Sequence, residues 1–173
     1  MSPPPAEAMI GAPGSAAPRA SVTIRPARLE DSGEVARLSA QFADYLRGLG
    51  DECPGPLMEQ AYRRDGFGPN PRFSGLVAEI DERLVGYLLH HPGYDVDRSA
   101  PITMIIDFFV DPSVRRLGLG RRLMEEIANE ARAAGSIELV WTVYRPNRLA
   151  YAFYEALGAE HIADLTLMRL PLD

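Results

Sequence analysis

The hydrophobic pattern of this chain changes period several times, and each change predicts an element. Val22-Thr23-Ile24-Arg25-Pro26 reads as a short strand closed by proline. After Asp31 and Ser32, either of which suits a helix cap, Val35, Leu38, Phe42 and Leu46 recur at helical spacing with Ala36 and Ala43 beside them. Core packing is the plain meaning of that stripe. Leu57 to Arg63 predicts a second, shorter helix, and Asp65-Gly66-Phe67-Gly68-Pro69-Asn70-Pro71 a turn-rich loop. Ser74 to Ile80 and Arg83 to His90 are apolar runs on either side of Asp81-Glu82, the pattern of a β-hairpin. Gly93 to Pro101 is polar and turn-like. Ile102 to Val110 is apolar except for Thr103 and Asp107, as in a strand covered on both faces.

The second half keeps alternating. Arg121 to Ala134 predicts a helix with Leu123, Ile127, Ala128 and Ala131 inward and Gly135 as its stop. Ile137 to Tyr144 reads as another buried strand, Pro146 and Asn147 turn the chain, and Leu149 to Leu157 forms a short helix before Gly158. Ala163 to Leu170 predicts a last strand. There is no internal repeat. The order β, helices, ββ, β, α, β, α, β predicts an α/β protein with a central mixed sheet flanked by helices.

Composition narrows the field. The chain has 173 residues, enough for one domain with a real core. Residues 1–20 are rich in Pro, Ala, Gly and Ser with few large apolar side chains, so they read as a flexible tail ahead of a domain at 21–173. No apolar run approaches the roughly 20 residues of a membrane helix, and with no signal-peptide pattern the default compartment is the cytoplasm. The net charge of −6 argues against general nucleic-acid binding and is compatible with a cationic small substrate. The single cysteine, Cys53, excludes an internal disulfide and a multi-cysteine zinc site, and no metal is expected.

Candidate chemistry centres on Val110-Asp111-Pro112-Ser113-Val114-Arg115-Arg116-Leu117-Gly118-Leu119-Gly120-Arg121, which joins the Ile102 strand to the Arg121 helix. A strand, a Gly-containing turn and a helix N-terminus make a place for phosphate, because the first helical N–H groups lack internal partners and carry partial positive charge. The loop lacks the Gly-Lys-Ser/Thr ending of a P-loop and the Gly-x-Gly-x-x-Gly of a dinucleotide fold.

Arg115-x-x-Gly118-x-Gly120 resembles the Arg/Gln-x-x-Gly-x-Gly/Ala loop of the GCN5-related N-acetyltransferases, the GNAT superfamily. Asn147 and Phe153-Tyr154-Glu155-x-Leu157-Gly158-Ala159 resemble that superfamily's later Asn and Phe-Tyr segment. Ile24-Arg25-Pro26-Ala27, Asp65-Gly66-Phe67-Gly68, Leu76-Val77-Ala78-Glu79 and Asp107-Phe108-Phe109-Val110 are similar to its spermidine/spermine and thialysine N-acetyltransferase branch. The resemblance runs from about Ile24 to Leu170. It implies a mostly antiparallel sheet with splayed central strands, acetyl transfer from acetyl-CoA to a primary amine of a small molecule, and a homodimer. The implied donor site comprises Phe108, Phe109, Val110, Arg115, Arg116, Leu117, Gly118, Leu119, Gly120, Arg121, Asn147, Arg148 and Ala150. The amides of Arg116 to Arg121 are expected to cradle the pyrophosphate, and the opened strand edge at Phe108 to Val110 to take the pantetheine amides. Arg115 is either a phosphate contact or a surface cation. Asn147 orders the loop beside the donor, caps the next helix, or does both.

The resemblance places Tyr154 at the superfamily's usual acid, where a phenol donates to, or hydrogen-bonds, the departing CoA thiolate; the alternative is an aromatic on a packed helix face. For the base that deprotonates the amine, the candidates are Asp107, Glu79, His90 and His91. Asp107 stands out because an acid in an apolar strand needs a reason. His90 and His91 precede Pro92 at a strand end and suit solvent equally well, and His161 reads as a surface residue. Tyr45, Ile106 and Asp107 are the expected acceptor contacts. Leu46, Ile106 and Arg148 stand where the polyamine branch carries acids, which disfavours a polycation. A smaller amine, or a lysine-like amino acid whose carboxylate meets Arg148, is expected instead. Two other classes stay open: a protein or peptide N-acetyltransferase, and an acyl-CoA-binding module without turnover.

Overall fold

The computed structural model describes residues 21–52 and 55–172. The expected tail and Cys53 lie outside the described residues. Five strands form one sheet in the order β1-β2-β3-β4-β5, with β1 Val22–Pro26, β2 Ser74–Ile80, β3 Arg83–Asp95, β4 Ala100–Val110 and β5 Leu139–Val140. The first four run antiparallel in sequence, and β5 lies parallel to β4. The helices are α1 Ser32–Gly48, α2 Glu59–Phe67, α3 Leu119–Ala133 and α4 Arg148–Glu155.

The alternation along β2 and β3 divides the core in two. Leu76, Ala78 and Leu88 point to one face, where they meet Leu119, Leu123 and Ile127 of α3. Val77, Tyr87 and Leu89 point to the other, where they meet Val35 and Leu38 of α1 and Tyr62 of α2. Both faces being covered explains why these strands read as nearly continuous apolar runs.

Several boundaries depart from the sequence pattern. The hairpin of β3 and β4 continues to the pair Asp95↔Ala100. Gly93 to Pro101 is therefore mostly paired strand, with the turn confined to residues 96–99. Mutual pairing satisfies the backbone there despite polar side chains. α2 starts and ends later than its apolar run and takes in Asp65, Gly66 and Phe67, because Phe67 and Phe73 both pack on the buried Tyr62 ring. α3 begins two residues before Arg121 and ends, as expected, ahead of Gly135 at φ +81°. The strand at Ile137 to Tyr144 shrinks to two paired residues. The segment Ala163 to Leu170 forms no strand at all: Leu165 and Leu167 alternate as a strand requires, yet they and Leu170 stay 72–84% exposed. A strand exists only as one side of a ladder, and β5 offers too short an edge to receive another.

Asp31 does not cap α1 through its side chain. Its carboxylate takes both guanidinium nitrogens of Arg25 at 2.8 Å and the Arg28 N–H at 2.7 Å, and Arg25 also grips Glu79. Burial alone raises the Asp31 carboxyl, but the Arg25 and Arg28 bonds outweigh it and hold the group below its ordinary value. Arg25→Met leaves two carboxylates facing each other in a nearly dry site. It is expected to cost about 3 kcal/mol, the low end for breaking a buried pair. A group with a lowered folded pKa stabilises above its unfolded value and loses that stabilisation as pH falls. The gap in melting temperature between Arg25→Met and wild type is therefore widest at neutral pH and closes below about pH 4. A thermal-melt series across that range checks it.

Candidate active site

β4 and β5 pair at only two positions, Thr103↔Leu139 and Met104↔Val140. Beyond them the strands share no ladder, and a cleft of about 500 Å³ opens between Ile105–Phe108 on one side and Trp141–Tyr144 on the other. α1 supplies Phe42 and Leu46 to its wall, and α4 supplies Ala150 and Tyr154. The splayed strands expected from the resemblance are thus present, and the outer edge of β4 past Met104 keeps its backbone groups free of β5.

What turns Asp107 into this cleft is a bulge. β3 pairs Leu89 with Asp107 and His90 with Ile105, so Ile106 is an extra residue on β4. An extra residue reverses the alternation of everything after it. Ile105 packs on the α3 side, whereas Phe109, four residues later, packs with Tyr87 on the α1 side. Asp107 shares that reversed face. Its Oδ2 accepts from the Tyr87 hydroxyl at 2.7 Å and its Oδ1 from the Phe108 N–H at 3.1 Å. Burial pushes the Asp107 carboxyl up to about 6, and the two hydrogen bonds only moderate it. Burial, and then the Asp107 charge, drive the Tyr87 phenol well above its usual value, so it stays a donor.

Tyr154 faces the same cleft from α4. Its ring packs on Trp141, with centroids 4.9 Å apart, and on Phe153 and Phe108. Among the described residues nothing hydrogen-bonds its hydroxyl. Burial first, and the negative Asp107 second, push its phenol up to about 12.

The loop between β4 and α3 is built as expected. Asp111 accepts from the N–H and hydroxyl of Ser113 and holds the turn Pro112–Val114. Arg116 and Gly118 then take φ values of +71° and +77°. The N–H groups of Arg116 to Arg121 find no intramolecular acceptor among the described residues; the first loop-to-helix bond is Arg122 N–H to Gly118 O at 3.0 Å. Six consecutive free donors at a helix start, with positive φ between them, form a concave anion cradle. Gly120 lets this corner close: a Cβ there would sit 3.2 Å from the Phe153 ring. Leu119 contributes its backbone only, since its side chain is in the core.

Other expected residues fall elsewhere. Arg115 is half-buried: its guanidinium lies 5.2 Å over the Tyr45 ring and 6.0 Å from that of Phe109. Tyr45 does not line the cleft, but its hydroxyl reaches Asn147. Asn147 caps α4 through Ala150. Arg148 is exposed at the start of α4 and lines no part of the cleft, while Leu46 and Ile106 do. Glu79 is consumed by Arg25. His90 is half-buried 3.8 Å from Glu130 of α3, so it is not at an open strand end. Burial lowers its pKa. His91 lies against the Pro92 carbonyl, and His161 stacks on Tyr151. Neither Glu79 nor any of these histidines lines the cleft.

The sequence reading missed Tyr87, Trp141 and Asp51. Only Trp141, the single tryptophan, just past the β5 run, gave any signal. Asp51 is a second carboxylate on the cleft wall, and no Lys, Arg or His joins it among the described lining residues. Among the described residues no cluster of His, Cys, Asp or Glu is poised to hold a metal, and no helix is long and apolar enough to cross a membrane.

Residues 39–159 match the acetyltransferase (GNAT) family. A thialysine N-epsilon-acetyltransferase of Bos taurus is 33% identical over 84% of this chain and 88% of its own. A spermidine/spermine N(1)-acetyltransferase-like protein of Homo sapiens is 27% identical over 79% of this chain but 20% of its own. A crystallised protein of Bacillus halodurans superposes with a TM-score of 0.71 at 28% identity, over 87% of this chain and 99% of that one.

Proposed function

This chain belongs to the acetyltransferase (GNAT) family and is an acetyl-transferring enzyme, and from that premise we propose that it moves the acetyl group of acetyl-CoA to a primary amine of a small molecule by direct attack. The carrying observation is the meeting in one cleft of a buried carboxyl with a raised pKa, Asp107, and a phenol with no hydrogen-bond partner among the described residues, Tyr154, next to the cradle at Arg116 to Arg121.

The cradle amides hold the pyrophosphate, and the open edge of β4 around Phe108 takes the pantetheine arm as an added strand, with Asn147 and Ala150 at its other side. The amine arrives as a cation and must lose a proton. Asp107, with a pKa of about 6, accepts it near neutral pH. The neutral nitrogen attacks the thioester carbonyl, the C–N bond forms, the C–S bond breaks, and Tyr154 hydrogen-bonds the sulfur as charge grows on it. As the amide forms, the nitrogen gives up its second proton, and the thiolate gains one through Tyr154, whose phenol that proton replenishes.

For the acceptor we favour a short diamine or a lysine-like amino acid. Asp107 faces the reactive amine, and Asp51 suits a second ammonium group. The apolar Leu46 and Ile106 walls suit the methylenes between them. The likeness to the thialysine enzyme supports this choice. Arg148 is exposed and off the cleft wall, so we do not assign it the substrate carboxylate. We further place the enzyme in the cytoplasm as a homodimer without nucleic-acid or membrane partners, supported by its resemblance and its net charge of −6.

Thiol release from acetyl-CoA over a panel of diamines, spermidine, lysine, thialysine, ornithine, aminoglycosides and peptides tests the reading. Short diamines or lysine-like amino acids are expected to give the highest kcat/KM. A clear preference for spermidine overturns the acceptor choice. Labelling of a protein acceptor points to the protein-directed class. Tight CoA binding with no turnover on any amine points to a binding module.

A further inference from the structure

We propose that Tyr45 is a positioning residue whose hydroxyl fixes the plane of the Asn147 amide and so aims its two N–H donors into the cleft at a carbonyl of the acyl donor. The inference rests on the acetyl-CoA reading above.

Asn147 is 7% exposed and its accessible part lines the cleft. Its Oδ1 accepts two hydrogen bonds, from the Ala150 N–H at 3.1 Å and from the Tyr45 hydroxyl at 2.9 Å. The orientation of the amide is not arbitrary. A backbone N–H only donates, so the atom facing Ala150 is the oxygen, and a flipped amide would set N–H against N–H. With the oxygen fixed, the Tyr45 hydroxyl is the donor in the second bond.

One bond to Ala150 would let the amide plane swing about it. The second, from α1, uses the other lone pair and fixes the plane. That leaves Nδ2 with two protons and no acceptor among the described residues. No side-chain nitrogen or oxygen shut off from solvent lacks a partner among the described residues, so Nδ2 is on the part of Asn147 open to the cleft. A pair of fixed donors in such a place recognises an acceptor oxygen, and the amide carbonyls of the pantetheine arm are the acceptor groups that the donor brings past α4.

Tyr45 is itself held. The Arg115 guanidinium lies over its ring and the Arg115 Nε donates to Val110 O at 3.3 Å. Phe42 stacks near it at 6.5 Å between centroids. A ring pinned between the phosphate loop and α1 is well suited to hold a third element, α4, in register. That matters because α4 packs on the core only through partly buried side chains such as Phe153 and Tyr154, so a polar tie at its N-terminus adds to what places it.

Tyr45→Phe keeps the ring under Arg115 and removes only the hydroxyl. Asn147→Asp keeps two acceptor positions for Tyr45 and Ala150, favours a helix N-terminus, and removes the donors. The measurements are calorimetric Kd for CoA, KM for acetyl-CoA and for the best amine, and melting temperature. Tyr45→Phe is expected to weaken CoA about three- to tenfold, one hydrogen bond's worth, with the amine KM unchanged. Asn147→Asp is expected to weaken CoA at least as much without lowering the melting temperature. The double variant should be no worse than Asn147→Asp alone, because Tyr45 acts only through Asn147. Additive losses, a Tyr45→Phe effect confined to the amine KM, or a lower melting temperature with CoA affinity intact overturns the proposal. Should Tyr45→Phe not fold, unchanged CoA affinity in Asn147→Asp overturns it too. Failure of the wild type to bind CoA would instead remove the acetyl-CoA reading beneath it.

Discussion

Tyr154→Phe lowers kcat about a hundredfold, while the Kd for CoA stays within a factor of two. The magnitude follows from the chemistry. A phenol pushed up to about 12 is fully protonated throughout the working range, so the donor is always loaded. Yet a thiol titrates at about 8.5, so outright proton transfer from such a phenol to the departing sulfur is uphill. Hydrogen bonding to the growing charge is the larger part of its work, and removing one donor of that kind costs about 10²–10³ in kcat. The two groups are also coupled. After burial, the negative charge of Asp107 is what raises Tyr154. When Asp107 takes the amine's proton that charge vanishes, and Tyr154 becomes a better acid at the moment the sulfur needs one. Phenylalanine keeps the packing on Trp141 and Phe108, so the melting temperature should hold. Stopped-flow or steady-state thiol release with saturating amine, beside calorimetry with CoA, measures both numbers. An unchanged kcat removes Tyr154 from the chemistry.

The sequence carried the donor side of this site well and the acceptor side poorly, for a physical reason. The loop at Arg115 to Gly120 is local: its glycines, its flanking strand and its helix start are contiguous, so its cradle was legible residue by residue. The acceptor cleft is made by what the strands fail to do. Nothing in the apolar run Ile137 to Tyr144 announces that it pairs at Leu139 and Val140 alone, since an apolar run looks the same whether it meets a strand or a cavity. Nor does the run Ile102 to Val110 announce the bulge at Ile106. Without that bulge, alternation would send Asp107 to the α3 face with Ile105, away from Tyr87. Glu79 and His90 stayed candidates behind Asp107 because their partners, Arg25 and Glu130, are 54 and 40 residues away in sequence.

Asp107→Asn provides the complementary test, and its signature is a pH profile. The wild type is expected to gain kcat/KM as pH rises through about 6, where Asp107 loses its proton and becomes able to accept one from the amine. The substituted carboxamide cannot accept it, so the step near pH 6 disappears and kcat falls about a hundredfold, within the 10²–10⁴ typical of a positioned base. Stability moves the other way. The folded pKa lies above the unfolded carboxylate value, so the folded state holds the proton longer. Asp107 costs nothing below about pH 4, and its cost grows between about pH 4 and 6 and is complete above. A neutral amide keeps one acceptor oxygen for the Tyr87 hydroxyl and gives up the one facing the Phe108 N–H, so the melting temperature of Asp107→Asn should rise relative to wild type between pH 4 and pH 8. A merely structural carboxylate would behave in the opposite sense, its loss lowering the melting temperature at pH 8 while the acid limb of the rate profile survived. Activity and stability thus separate at a single position, and only a group held in an unfavourable charge state for the sake of the reaction is expected to show both.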